Sequence, residues 1–197
     1  MNLTSDEVRT LQHRPLFNLL SQIILSAGQP MPRYYLQKPD GGMINVMEYT
    51  QQADGSMTYV KDSGNGCAVY VCRMLMLTTL DVQNTRRLID GVHGTVTSSV
   101  RALLAAGWQD VNIQEPPRPG DIIVWEKQQQ ADGEHVHIGF SLGNNEAIST
   151  QFMRMNIGRH SVTYDGSRRI ERLLRYPWPA EEYDALVHLD LADGSAR

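Results

Sequence analysis

Between residues 121 and 176 the chain breaks into short runs rich in β-forming residues: Asp121 to Trp125, Val136 to Leu142, Ala147 to Gln151, Ser161 to Tyr164 and Ile170 to Tyr176. Gly, Asn or Asp stands between them, which predicts successive antiparallel strands. Ahead of this region the apolar spacing is helical. Leu16, Leu19, Leu20, Ile23, Ile24 and Ala27 recur at three- and four-residue steps, with Pro15 available to the first turn and Gly28 as a stop. Ala68, Val71, Cys72 and Leu75 make a second stripe that begins at Cys67. Val96, Val100, Leu103 and Leu104 make a third, with Thr95 or Thr97 as N-cap and Gly107 as stop. Helices first and antiparallel strands afterwards define an α+β fold. Between the first two helices, Arg33 to Gln37, Met43 to Tyr49 and Met57 to Val60 are separated by Pro39-Asp40-Gly41-Gly42 and Ala53-Asp54-Gly55, the punctuation of a small β-meander. Pro177-Trp178-Pro179 ends the last strand and leaves a tail with one helical turn around Glu181 to Val187.

Several function classes are excluded at this level. The 197 residues carry 18 Lys+Arg against 22 Asp+Glu, a formal net charge of −4, and no basic run is longer than Arg168-Arg169, so no nucleic-acid partner is expected. The apolar run from Leu16 to Ala27 is interrupted by Asn18, Ser21 and Gln22 and falls short of the ~20 residues a membrane span requires. Met1 to Arg14 contains Asp6 and Glu7, with no small-residue cleavage site after it, so the expected location is the cytoplasm, or outside it by a non-Sec route. Gly64-Asn65-Gly66 lacks the spacing and the lysine of a phosphate-binding loop. No cofactor is implied.

The two cysteines carry the chemical question. Cys67 and Cys72 lie five residues apart, which on one helix points them about 140° from each other and rules out a disulfide between them. Cys72 sits within the apolar stripe and reads as core. Cys67 follows the loop Lys61-Asp62-Ser63-Gly64-Asn65-Gly66 and opens the helix. A thiol is nucleophilic as thiolate; its ordinary pKa of ~8.5 is lowered by a helix N-terminus and by an adjacent imidazolium. His135 and His137 share one face of a predicted strand and supply candidates for that imidazolium. Their H-x-H spacing also suits a divalent metal if Glu134 or Asp132 converges, although nothing in the sequence identifies a third ligand. Asp121 reads as the structural close of a Pro-Gly-Asp turn, and Trp108, Trp125 and Trp178 as core or groove wall.

Three blocks, Gly66-Cys67-Ala68-Val69-Tyr70-Val71, Pro119-Gly120-Asp121-Ile122-Ile123-Val124-Trp125 and His137-Ile138-Gly139-Phe140-Ser141-Leu142-Gly143-Asn144-Asn145-Glu146-Ala147-Ile148-Ser149, resemble in order and spacing those of NlpC- and CHAP-type papain-like cysteine peptidases and amidases. The resemblance covers residues 62 to 176. It implies a papain-like core with the nucleophile helix packed on an antiparallel sheet: residues 62–179, preceded by a helix and β-hairpin extension over 1–61 and followed by a tail over 180–197. It also implies that Cys67 is the nucleophile and His137 the general base. A polar residue on the next strand then orients the imidazole. Ser149 occupies that place, where the family more often has His, Asn, Asp, Glu or Gln; Gln151 on the same face and His160 on the following segment are further candidates. Asn65 and the Cys67 backbone N–H would meet the oxyanion, with His160 also close to substrate. The substrates implied are peptidoglycan stem peptides and related amides. The alternatives are a catalytically inactive module that binds a peptide or cell-wall fragment, motivated by the serine at position 149, and a metal-dependent hydrolase using His135 and His137.

Overall fold

The computed structural model describes residues 14–29, 35–37, 43–45, 49–51, 57–59, 66–78, 80, 86–130, 133–151 and 156–188. Helix α1 (Pro15–Leu25) has proline at its first position, and Gly28 takes φ +78° just beyond its end. Its N-cap, Arg14, supplies no side-chain cap. Instead the buried carboxylate of Glu182, 166 residues away, accepts the Leu16 N–H at 2.9 Å, which satisfies one of the donors a helix start leaves open. The strands β1 (Tyr35–Gln37) and β2 (Met43–Asn45) pair antiparallel, as do β3 (Tyr49–Gln51) and β4 (Met57–Tyr59). Among the described residues the expected meander is two separate two-stranded sheets: the run from Met43 to Tyr49 contributes its first residues to one and Tyr49 to the other. The turns expected at 39–42 and 53–55 lie outside the described residues.

Helix α2 (Gly66–Leu77) buries Gly66 through Cys72 and Leu75. This is wider than the predicted stripe, because α2 packs against α1, α3 and the sheet together and has little free face in its first two turns. Helix α3 (Val96–Ala105) starts with a capping box in which Thr95 accepts from the Ser98 N–H and the Ser98 side chain returns to Thr95.

The strands β5 (Gln109–Val111), β6 (Ile122–Gln130), β7 (Gly133–Gly143), β8 (Glu146–Gln151), β9 (Asn156–Ser161) and β10 (Ile170–Arg175) form one antiparallel sheet in the order β5-β10-β6-β7-β8-β9. Side chains alternate across it. Ile122, Val124, Ile138, Phe140, Leu142 and Ile148 join the core under α1 and α2, while Ile123, Trp125, Ala147, Val162 and Leu173 make a second cluster on the opposite face. The α+β class is as expected, with two differences. Strand β9 lies at 156–161, where Ile157 alone breaks a polar run, and the segment read as a strand at 161–164 is a turn in which Tyr164, Asp165 and Gly166 take φ of +50°, +55° and +84°. Strand β5 was not anticipated; its three residues are held on the edge of β10, where Asp110 pairs with Arg172.

The Pro-Gly-Asp turn is structural, as expected. Gly120 takes φ +87°, and the fully buried Asp121 accepts from the Arg118 N–H at 2.8 Å and from Arg175 at 2.8 Å. Helix α4 (Ala180–Asp184) and a 3-10 turn (Ala185–His188) close the described chain, with α4 against α1. Among the described residues no helix is long and apolar enough to cross a membrane.

Candidate active site

Cys67 stands in the first turn of α2 and is 1% exposed. Backbone N–H groups of Ile138, of Ala68 and of Cys67 itself favour its anionic form, as does the charge of Arg168, yet burial outweighs them and pushes the thiol up to about 11. This reverses the expected direction. The helix start is present, but removing the sulfur from water costs the thiolate more than the nearby donors return. Cys72 is core, as expected: it is fully buried, and its sulfur lies 3.4 Å from Ser99 Oγ. Both cysteines are free thiols.

His137 lies on β7, the strand on which α2 packs. Its ring stacks on the buried Trp125, centroids 5.4 Å apart at 30°, which limits rotation of the imidazole. Nε2 is 2.9 Å from Ser149 Oγ, and among the described residues Nδ1 has no hydrogen-bond partner. Burial first, then the charges of Arg168 and His160, pull His137 down to about 3, so the ring is neutral in the resting protein. Gly139 explains why the motif after the histidine needs a glycine. A Cβ there would stand 2.6 Å from the Ile148 carbonyl oxygen and 2.7 Å from Ser149 Cβ. The bare backbone lets β8 bring Ser149 up to the ring.

Ser149, wholly buried, is the hub. Its hydroxyl is 2.9 Å from His137 Nε2, 2.8 Å from His160 Nε2 and 2.8 Å from Tyr164 Oη. His160 on β9 has its Nδ1 2.8 Å from the Ser161 carbonyl and stacks on Tyr164 at 3.7 Å between centroids. Of the three orienting candidates the structure brings Ser149 to His137 and His160 to Ser149. Gln151 instead lies over Gly158 of β9. Asn65 is outside the described residues, as is Asp132. Among the described residues no group of three or more His, Cys, Asp or Glu converges to hold a metal ion.

Two site residues escaped the sequence reading. Tyr164 was placed at the end of a strand, although the Asp165-Gly166 pair after it signals a left-handed turn. Arg168 is 6% exposed; its Nε donates to the Glu126 carbonyl at 3.0 Å and its Nη2 to the His135 carbonyl at 2.6 Å. It thereby staples the bulge where β6 and β7 change register beyond Trp125 and His137. A doublet of arginines before a strand carries no sign of such burial.

A buried thiol at a helix start and a neutral imidazole held by a hydroxyl network, on a helix and an antiparallel sheet packed together, define an α+β class. The family assignment follows from comparison with known proteins. Residues 43–172, about two thirds of the chain, match Amidase_5, the bacteriophage peptidoglycan hydrolase family, and the chain belongs to that family. The match takes in Cys67, His137, Ser149, His160, Tyr164 and Arg168, and it begins upstream of the resemblance noted above, at β2. No curated protein matches the chain. A peptidoglycan amidase or hydrolase, expected from the sequence blocks, is what the family supports.

Proposed function

We propose that the protein is a papain-like cysteine amidase of the NlpC/CHAP type that cleaves an amide in peptidoglycan stem peptides through a Cys67 thioester. The observation that supports this is that the helix opened by Cys67 packs on β7, the strand that carries a histidine whose Nε2 is held by Ser149. In the first step the thiol proton passes to His137 as the sulfur attacks the carbonyl carbon. The C–N bond then breaks, and the leaving amine takes the proton from His137. Water, deprotonated by the same ring, attacks the thioester and releases the acid and the thiol. The negative oxygen of each tetrahedral intermediate is met by the Cys67 N–H, with Asn65 as the proposed second donor. Because both partners rest neutral, the proton moves during attack rather than before it.

One observation favours a second reading. Burial holds the thiol protonated and the imidazole uncharged, which also suits a module that binds a wall peptide without cutting it. Purified peptidoglycan separates the two. The hydrolase releases new free amino groups and soluble fragments, and Cys67→Ala and His137→Ala abolish both. If Cys67→Ala releases amines at the wild-type rate, cysteine catalysis is refuted. If wild type releases none but cosediments with the wall, the binding module takes its place.

A further inference from the structure

The hydrogen-bond network around Ser149 has only one polarity that satisfies all its members. It starts at a group that cannot donate: the Ser161 carbonyl, 2.8 Å from His160 Nδ1, so that nitrogen must carry the proton. In a neutral His160 the other nitrogen, Nε2, is then bare and must accept. Its partner at 2.8 Å is the Ser149 hydroxyl, which has a single proton to give. With that proton committed, Ser149 Oγ has only lone pairs left for its two other neighbours. Tyr164 Oη, 2.8 Å away, donates to one, and His137 Nε2, 2.9 Å away, must present a proton to the other. A neutral His137 protonated on Nε2 is bare on Nδ1, the nitrogen with no hydrogen bond among the described residues.

We propose that His160 is a positioning residue that acts through Ser149: the carbonyl of Ser161 orders the protons of His160, Ser149 and His137 in sequence, and so holds His137 in the tautomer whose Nδ1 can take a proton. The inference rests on the cysteine-amidase reading, and adds what makes a serine serviceable where a carboxylate or amide would otherwise orient the ring. A serine hydroxyl alone can donate or accept toward an imidazole, so it selects neither tautomer. Anchored by His160 it can only accept.

The groups facing His160 keep it neutral and the network intact. Burial, above all, and Arg168 oppose its charged form and outweigh the Ser161 carbonyl and Asp165, which favour it; Tyr164, pushed up to about 12 by burial, remains a donor at neutral pH. When His137 gains the second proton its Nε2–H stays in place, so Ser149, His160 and Tyr164 need not reorient during the reaction. Protonation of His160 would give it a proton on both nitrogens, free the Ser149 proton to point at His137, and loosen the selection.

The test is the long-range ¹H–¹⁵N spectrum of the histidine rings in the wild-type protein at neutral pH, which needs no variant. The expected result is opposite tautomers: His137 protonated on Nε2 and His160 on Nδ1. His137 protonated on Nδ1, or a mixture of its two tautomers, overturns the proposal. His160→Ala is then expected to turn His137 into a mixture and to lower kcat on peptidoglycan about tenfold or more, with KM little changed. His160→Gln, whose side-chain oxygen can accept from Ser149, is expected to restore a single tautomer and most of kcat. If His160→Ala keeps both the wild-type tautomer and kcat, the relay is refuted. If the wild-type tautomers are as stated but no amide is cleaved, the relay stands and the hydrolase reading falls.

Discussion

Adding one methyl group at Gly139 separates the packing argument at the centre of this site from any general sensitivity of strand β7. In Gly139→Ala the new Cβ stands 2.6 Å from the Ile148 carbonyl oxygen, 2.7 Å from Ser149 Cβ and 3.1 Å from the rim of Trp125. The first is roughly 0.9 Å inside the ~3.5 Å at which such atoms attract best. Two of the three neighbours are backbone or Cβ atoms of β8 that cannot rotate away, so β7 and β8 must part. Overpacking of this kind costs about 1–3 kcal/mol. The same separation draws Ser149 away from His137, and a displacement near 1 Å at a positioned group can lower turnover ~100-fold. Gly91→Ala is the control, since nothing lies within 4 Å of a Cβ there and its φ is not in the left-handed region. It should leave stability unchanged or raise it by about 0.4–1 kcal/mol through the unfolded chain. Urea unfolding of both variants, with amine release from peptidoglycan as the activity assay, decides the matter. A Gly139→Ala protein as stable and as active as Gly91→Ala would refute the close approach of Ser149 and with it the reason given for the glycine.

Three further outcomes follow from the same geometry. His137, held near 3 in the fold against an ordinary 6.5, binds its proton in the unfolded chain first, so stability falls with pH between 6.5 and 3; from pH 7 to pH 5 the loss is roughly 2 kcal/mol. Urea midpoints at the two pH values should show it in wild type, and an undiminished loss in His137→Gln would assign it elsewhere. Arg175→Met leaves the buried Asp121 carboxylate without its guanidinium and should cost about 3–5 kcal/mol, while Asp121→Asn in the same chain should recover part of it. Thr95→Ala removes the side-chain cap of α3, which makes no hydrogen bond to Cys67 or His137, and should cost about 1 kcal/mol by thermal melting with amine release unchanged.

The helices were legible because their signals are local: Pro15 at the first turn, Thr95 at a cap, Gly28 and Gly107 at left-handed stops. Strands β6, β7, β8 and β10 were legible from their apolar content. β5 and β9 were not, because a three-residue edge strand and a polar one owe their form to neighbours rather than to their own pattern. At the site, position along the chain pointed to Cys67, His137 and Ser149. The choice of Ser149 over Gln151 depended on the approach that Gly139 allows. The direction of the thiol's pKa depended on how deeply α2 is packed, which a helix-start argument does not include. Tyr164 and Arg168 come from the turn after β9, where left-handed backbone, not hydrophobic pattern, decides what points inward.

The bond from the Leu16 N–H to Glu182 also has a meaning in time. In synthesis α1 precedes α4, and its apolar face belongs to the same core as Cys67, Phe140 and Trp178. Its open first turn finds its acceptor only once α4 has been synthesised, some 166 residues later, which at ~5–20 residues per second is a wait of roughly ten to thirty seconds. Until then the first turn of α1 keeps that donor without its native acceptor.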